Sequence, residues 1–421
     1  MIKAIRGTRD ILPPGSNEWQ KVEDLSRRVF RLFGYSEIRT PIIEETALFV
    51  KSVGEETDIV KKEMFSFVDR GERDISLRPE GTAPIVRAYL ENNLDKTDPF
   101  QKLYYIGPMF RAERPQAGRL RQFHQIGLEA IGSNSPALDA EVINVLIRLL
   151  ETNGIKKYEL KLNNLGCRED KKKLSKTLKE VFSEKTVSAR LCEDCKRRVA
   201  TNPLRLLDCK EEGCRLVIRE HFKNVEFLCS DCKEHFAEVL KFIDLLKIPY
   251  SVDPYIVRGL DYYTRTVFEV THKDLGAQNA IGAGGRYDNL ISDMGGPSLG
   301  ACGFALGVDR MIMALGKDAE TVKAAAGIDL FVATIGKEAY SKAFLLLNEL
   351  RGAGVSCDID YELRSLKSQM RSADKQAARF VMIIGDDEVA KSEAVLRDMK
   401  TREQTNIRFP DLVNSIKGKI C

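Results

Sequence analysis

The sequence predicts an α/β protein of several domains, and three stretches carry that prediction. Residues 103–131, LYYIGPMFRAERPQAGRLRQFHQIGLEAI, read as two apolar strands joined by an arginine-rich loop. Residues 167–246 place apolar side chains at helical spacing among lysines, glutamates and cysteines, with no strand pattern. From 328 onward strand-like and helix-like runs alternate, as in a small α/β domain with a largely parallel sheet.

The chain has 421 residues, room for two or three domains of roughly 150 residues each. The changes of character fall at 1–166 with 247–320 for a core, 167–246 for a helical insertion, and 327–421 for a C-terminal domain. Hydrophobic residues make up 43%, enough for sizeable cores, and 66 basic against 62 acidic residues leave a net charge of +4. Bulk charge therefore points to no partner, and any nucleic-acid surface has to be local. No run of about 18 apolar residues is present, so no membrane span is expected. The opening MIKAIRGTRDILP lacks an apolar signal segment. Ten cysteines without such a signal suit a reduced, cytoplasmic setting.

Arg6-Gly7-Thr8-Arg9-Asp10 and Pro13-Pro14-Gly15 form an ordered opening loop. Trp19, Val22, Leu25, Val29 and Leu32 then recur at helical spacing, with Ser16 or Asn17 as candidate N-cap and Gly34 as stop. A short strand over 35–41 ends at a proline, and 42–50 holds a second short element. Residues 65–68 and 74–77 make a hairpin around Arg70-Gly71. Arg78-Pro79-Glu80-Gly81-Thr82 turns into a helix over 83–90. Glu80 and Thr82 thus sit at a strand-to-helix turn, where polar groups serve either as caps or in a site.

In the first strand of 103–131, Leu103, Tyr105, Gly107, Met109 and Arg111 share one face. In the second, Arg121, Phe123, Gln125, Gly127 and Glu129 do the same. That face combines cations, a ring, an amide and a carboxylate, with a glycine leaving room between them. It is either an exposed hairpin of mixed charge or a wall furnished for a ligand with phosphate, a flat ring and a charged end.

A helix over 138–153, closed by Gly154, and a strand over 158–162 lead to the insertion. There stand Cys192-x-x-Cys195, Cys209, Cys214 and Cys229-x-x-Cys232. The two C-x-x-C pairs could share one tetrahedral zinc ion, but they lie far apart and two further cysteines compete. Six reduced thiols in a small helical core explain them as well.

Strands resume over 250–257. RGLDYYTRTVFE at 258–269 sets paired tyrosines after an Arg-Gly turn, and in IGAGGRYD at 281–288 the glycines permit close backbone approach, as around a ligand. No Gly-Lys-Ser/Thr follows, so this is not a P-loop, and it does not match the dinucleotide fingerprint. ACGFALGVDR at 301–310 runs from a small-residue strand into a helix over 308–315. Arg310 stands in the first turn, where acids are favoured, which suits a role in holding phosphate. After an alanine-rich linker at 317–327 come a strand over 328–335, a helix over 337–351, a strand over 355–361, a helix over 366–378 and a strand over 380–384. Arg364, Lys367, Arg371, Lys375 and Arg379 recur at steps of three or four. They form one stripe along that second helix, either a solvated face or a surface for a nucleic-acid backbone.

Together these stretches resemble the class II aminoacyl-tRNA synthetases, and within them the bacterial histidyl-tRNA synthetase family, over essentially the whole chain. Residues 35–49 look like the first class motif, which builds a homodimer. Phe110-Arg111-x-Glu113 with the loop to Phe123 looks like the second, and 303–310 like the third. RGLDYY at 258–263 and GGRYD at 284–288 are more restrictive, and the stretches at 78–82 and 6–10 are also similar to the family. The resemblance implies an α+β catalytic core with a mostly antiparallel sheet flanked by helices over 1–166 and 247–320. It also implies a helical insertion over the tRNA acceptor arm and a C-terminal α/β anticodon-binding domain.

The implied reaction has two steps. Histidine and ATP give histidyl-adenylate and pyrophosphate, and the histidyl group then passes to the terminal ribose of tRNA(His). By similarity Arg111, Arg258 and Arg310 are the catalytic cations. Arg111 holds the α-phosphate and the substrate carboxylate, Arg258 stands beside the α-phosphate, and Arg310 takes the γ-phosphate end with Arg119. Phe123 stacks on adenine and Glu113 meets its amino edge. Glu80, Gly81, Thr82 and Gln125 hold the amino acid's charged end. Glu129 and Tyr263, with Tyr262 and Tyr287, form the imidazole pocket, since a carboxylate and a hydroxyl can read both ring nitrogens. Magnesium would accompany ATP. The family's chemistry does not require the cysteines, so zinc stays open, and the basic stripe is expected to touch tRNA phosphate. The alternative is a synthetase-like regulatory subunit of the histidine-biosynthetic ATP phosphoribosyltransferase. Such subunits typically lack the C-terminal domain and parts of the 258–263 stretch, and this chain keeps both.

Overall fold

In the computed structural model, residues 2–116, 118–222, 225–316 and 327–420 are described. All of the expected linker but Gly327 lies outside them. The chain divides into two compact units, Met1–Ala319 and Glu320–Cys421. In chain order the first unit contains β1 (Ser36–Glu37), β2 (Ile43–Glu45), β3 (Phe65–Val68), β4 (Asp74–Leu77), β5 (Gln101–Phe110), β6 (Gln122–Ile131), β7 (Glu159–Asn164), β8 (Ser251–Val252), β9 (Thr264–Thr271), β10 (Ala280–Arg286) and β11 (Ala301–Gly307). The large sheet runs β1-β5-β6-β11-β10-β9-β7-β8, and β2-β4-β3 make a small one. The outermost pairs of the large sheet are parallel and those between them antiparallel, the mixed α/β architecture expected.

Alternation along β5 and β6 decides which residues build the core and which build the site. Tyr105 pairs with Gly127, Gly107 with Gln125 and Met109 with Phe123. The other face carries Ile126, Leu128 and Ala130, which pack with Val142, Ile143, Leu146 and Leu149 of helix Pro136–Thr152 and with Trp19 and Phe30 of helix Gly15–Leu32. Each such valine, leucine, isoleucine or phenylalanine side chain contributes about 1.5–3 kcal/mol by leaving water.

One ionic knot locks this layer. Asp139, fully buried in helix Pro136–Thr152, accepts hydrogen bonds from the equally buried Arg286 at the end of β10. Its other oxygen meets His235 Nε2 of helix Ser230–Leu245 at 3.0 Å. Arg286 also bonds Asp288 at 3.0 Å and the Ser133 carbonyl at 2.6 Å. The arginine of the GGRYD stretch is thus a framework group. Asp139→Ala leaves it buried and underpaired, and is expected to cost about 3–5 kcal/mol. A lower urea midpoint would register the loss, and an unchanged midpoint would contradict it.

Several local expectations need correction. The first helix starts at Gly15 behind Pro14 as N-cap, rather than behind Ser16 or Asn17, because Pro14 already holds helical angles of φ −83° and ψ −6°. The strand expected over 250–257 shrinks to β8, since Pro254 cannot donate to a ladder, and the chain turns through Asp253. The two C-x-x-C pairs do not meet. Cys192 and Cys195 gather with Cys209 and Cys214, whereas Cys229 and Cys232 gather with Cys167 and Asp170, because the two pairs begin different helices.

The second unit contains β12 (Leu330–Ile335), β13 (Cys357–Ile359), β14 (Phe380–Gly385), β15 (Glu393–Asp398) and β16 (Gln404–Arg408), in the order β13-β12-β14-β15-β16. Only the β13-β12-β14 side is parallel, and β14-β15-β16 is antiparallel, so the sheet is mixed rather than largely parallel. Helix Leu366–Lys375 stops short of 378 because Ala377 adopts a positive φ of 49°. The basic stripe is therefore broken. Arg364 precedes the helix and pairs with Asp360 at 2.7 Å, and Arg379 follows it and lies 3.6 Å from Asp329. Lys367, Arg371 and Lys375 remain on the helix, exposed and four residues apart.

Candidate active site

A cleft of about 320 Å³ opens on the site-bearing face of the large sheet. Its walls include Glu80, Thr82, Arg111, Glu113, Arg119, Phe123, Gln125, Arg258, Tyr262, Tyr263 and Arg310. The expected site residues thus converge from 80–82, β6, the 258–263 loop and the helix after β11. A second cavity of about 520 Å³ lies beneath the insertion, walled by Leu165, Leu174, Phe222 and Tyr255, and no lysine or arginine among the described residues lines it.

One end of the cleft is cationic. Arg111 donates from Nε to the Pro79 carbonyl at 3.0 Å, and its guanidinium lies 5.3 Å from the Phe123 ring centre. Arg119 pairs with Glu113 at 2.7 Å. Arg258 donates to Glu269 at 2.8 Å, while its Nε is buried with no hydrogen-bond partner among the described residues. Arg310 donates to the carbonyls of Gly118 at 3.0 Å and Ala280 at 2.5 Å. It forms no ion pair among the described residues. Burial pushes the Arg310 pKa down, and the nearby Arg119 and Arg111 push it further. Arg111, Arg119 and Arg258 share the two carboxylates of Glu113 and Glu269 and the buried Arg310 adds a further cation, so the cluster suits an anion between them.

The other end is acidic and aromatic. Glu80 accepts the backbone N–H groups of Thr82 at 2.7 Å and Ala83 at 2.9 Å, so its carboxylate caps helix Thr82–Glu91 while lining the cleft. Burial raises its pKa. Tyr262 reaches Glu80 at 3.4 Å, and the Tyr262 and Tyr263 rings lie 4.7 Å apart. The Gln125 Oε1 is buried without a partner among the described residues, an acceptor waiting for a donor.

Glu129, Gly81 and Tyr287 stand behind this wall rather than on it. Glu129 is 1% exposed. It accepts from the Thr82 hydroxyl at 2.6 Å and from the Tyr287 hydroxyl at 2.5 Å. Burial raises its pKa to about 8, against the lowering effect of those two hydrogen bonds. A Cβ at Gly303 would lie 1.9 Å from its Oε2, so only glycine leaves room for this carboxylate.

Tyr105 is the residue the sequence reading missed. Its ring fills the space over Gly81 and Gly127, where added Cβ atoms would lie 2.3 and 2.1 Å from the Tyr105 ring. The room left by Gly127 is thus taken by a side chain from the paired strand, a signal present in the strand parity. Glu269, the partner of Arg258, was also missed, although β9 aims it at the cleft. Asp208 and Lys210 reach the cleft from the insertion, and no local pattern marks that docking.

The family model of histidyl-tRNA synthetase matches residues 7–311, and that of the anticodon binding domain matches residues 329–419. The histidine–tRNA ligase of Halothermothrix orenii is 49% identical over 416 residues, 99% of each chain. That of Geobacter metallireducens is 48% identical over 407 residues, 97% of each chain. The crystal structure of the apo S. aureus histidyl-tRNA synthetase is similar with a TM-score of 0.82 at 37% identity, over 99% of this chain and 100% of that one. The chain belongs to the histidyl-tRNA synthetase family and is an aminoacyl-tRNA synthetase.

Proposed function

We propose that the chain condenses histidine with ATP to histidyl-adenylate and pyrophosphate, then passes the histidyl group to the terminal ribose of tRNA(His). The observation that carries this reading is one cleft with crowded arginines at one end and buried carboxylates and tyrosines at the other. A histidine carboxylate oxygen attacks the α-phosphorus, and the bond to the departing pyrophosphate breaks in line. Negative charge builds on the α-phosphate oxygens, where Arg111 and Arg258 stabilise it. Arg310 and Arg119 hold the γ-phosphate end, Phe123 stacks on adenine, and Glu113 meets its amino edge.

Gln125 and Glu80 receive the α-ammonium, with Gly81 and Thr82 shaping that corner. The imidazole lies against Tyr263 and Tyr262 and points at Glu129, which Tyr287 and Thr82 hold in place. A carboxylate has about four lone-pair sites, so two hydroxyl donors leave capacity for one ring N–H. The cleft's Glu113 and Glu269 are both paired with arginines. Magnesium, when bound with ATP, would offset phosphate charge, and Glu113 and Glu269 would stay with their arginines.

The first 166 residues with 247–320 serve as catalytic core, 167–246 as an insertion toward the acceptor arm, and 327–421 as the anticodon reader. Lys367, Arg371 and Lys375 meet tRNA phosphate. Reversing Arg371 and Lys375 to glutamate is expected to weaken tRNA binding by about tenfold or more at low salt and leave pyrophosphate exchange intact. Unchanged tRNA affinity would contradict it. Ile42, Ile43, Phe67 and Val68 are 41%, 49%, 47% and 62% exposed around the small sheet, a surface suited to a homodimer. No helix among the described residues is long and apolar enough to cross a membrane, and the ten cysteines suit the cytoplasm. Charging of purified tRNA(His) with labelled histidine tests the whole reaction. Its failure in a folded protein that still binds histidine would favour the regulatory-subunit reading.

A further inference from the structure

The cysteines of the insertion do more than fill a core. Cys192, Cys195, Cys209 and Cys214 bring their sulfurs within 4.8 Å of one another, and so do the ligand atoms of Cys167, Asp170, Cys229 and Cys232. Cys192 Sγ and Cys209 Sγ are 4.0 Å apart. A regular tetrahedron around zinc, with bonds of about 2.3 Å, has edges of roughly 3.8 Å. The described cysteines are free thiols, at spacings that suit a shared ion rather than a disulfide bond of about 2 Å.

The backbone around both clusters follows one device. Cys167, Cys192 and Cys229 are the N-caps of helices Arg168–Ser183, Glu193–Thr201 and Ser230–Leu245. Three residues on, in each first turn, stand Asp170, Cys195 and Cys232. Cys214 occupies the corresponding turn of helix Glu212–His221. The Cys192 N–H donates to Cys214 Sγ at 3.0 Å, and Asp170 accepts from the Cys229 and Cys167 N–H groups at 3.1 and 3.3 Å. Helix N-termini repel a bare cation but favour an anionic complex. A zinc ion with four thiolates, or with three thiolates and a carboxylate, carries a net charge of −2. The converging helix ends, the N–H groups and the ligand sets all fit that species.

We propose that the insertion holds two structural zinc ions, one on Cys192, Cys195, Cys209 and Cys214, the other on Cys167, Asp170, Cys229 and Cys232. The second ion staples the root of the insertion. Cys167 follows β7 directly, and Cys229 and Cys232 begin the helix that leads back to β8. The first ion fixes the edge that meets the cleft. Cys209 lies between Asp208 and Lys210, both cleft-lining, while Asn202 donates to Asp261 at 3.0 Å and Arg205 to the Arg258 carbonyl at 3.4 Å.

The full-length chain, expressed with zinc in the medium and purified with a reductant and no chelator, tests this by elemental analysis. Two zinc ions per chain are expected, both released when a mercurial blocks the thiols. Cys195→Ser should retain only the root ion and Cys232→Ser only the edge ion. Where a variant does not fold, cobalt exchanged into the unmodified protein gives a second reading. The thiolate-to-cobalt charge-transfer band should correspond to four thiolates at one site and three at the other. Asp170→Asn, which keeps a side-chain oxygen for the cap, should weaken only the root ion, by about tenfold or more. Iron in place of zinc, or a metal-free protein that takes up no cobalt, would overturn the proposal. Two ions that survive Cys232→Ser would overturn the root site.

Discussion

Arg258→Ala is expected to lower histidine-dependent ATP–pyrophosphate exchange by about three orders of magnitude. The side chain is held from one edge by Glu269 at 2.8 Å, and its buried Nε has no partner among the described residues. A guanidinium fixed before the reaction begins stabilises developing phosphate charge without reorganising. Its removal also leaves Glu269 unpaired, and that carboxylate then repels the nucleotide. The loss should therefore fall mainly on kcat, with a smaller rise in KM for ATP. Arg258→Lys keeps the charge but loses the planar fork, so an intermediate rate is expected. A fall of less than tenfold for Arg258→Ala would remove this residue from the phosphate site.

Glu129→Gln is expected to stabilise the fold while impairing the enzyme. Burial raises the Glu129 pKa from 4.5 to about 8. A raised folded-state pKa means that proton binding favours the folded protein. The stability so conferred is complete below about pH 4.5 and is lost as pH rises through about 8. Glutamine does not titrate, so the variant escapes the loss. Its advantage should be absent near pH 4 and grow to no more than about 4 kcal/mol at pH 8, at 1.36 kcal/mol per unit. Urea titrations at several pH values measure it. The same variant should raise the KM for histidine by about a hundredfold, because the amide NH2 puts donors where the carboxyl accepts and leaves a hydrogen bond of the imidazole pocket unmade. A variant no more stable than the unmodified protein at pH 8, with normal histidine binding, would contradict both expectations.

These expectations rest on features that were unequally legible in the sequence. Alternation placed Arg111, Phe123, Gln125 and Glu129 on one face of the hairpin, and pairing of Tyr105 with Gly127 and Met109 with Phe123 bears that out. Depth along that face was not legible. The sequence does not say that Tyr105 fills the gap over Gly127, nor that Glu129 lies behind the wall with both oxygens engaged. Local chemistry also decided the ends of elements. Pro254 cut short a strand that composition extended, and the positive φ of Ala377 ended a helix that the basic spacing carried on to Arg379. The cysteines show the limit most plainly. Spacing suggested that the two C-x-x-C pairs share a site, whereas tertiary packing separates them and recruits Cys167 and Asp170, which no short-range pattern connects to Cys229.

The central claim is that one cleft joins a triphosphate to an amino acid read through its imidazole. ATP–pyrophosphate exchange by the purified protein, without tRNA and with each of the twenty amino acids in turn, tests it most directly. Exchange with histidine alone is the predicted result. Exchange with a different amino acid, or none in a folded protein that binds ATP, would contradict it.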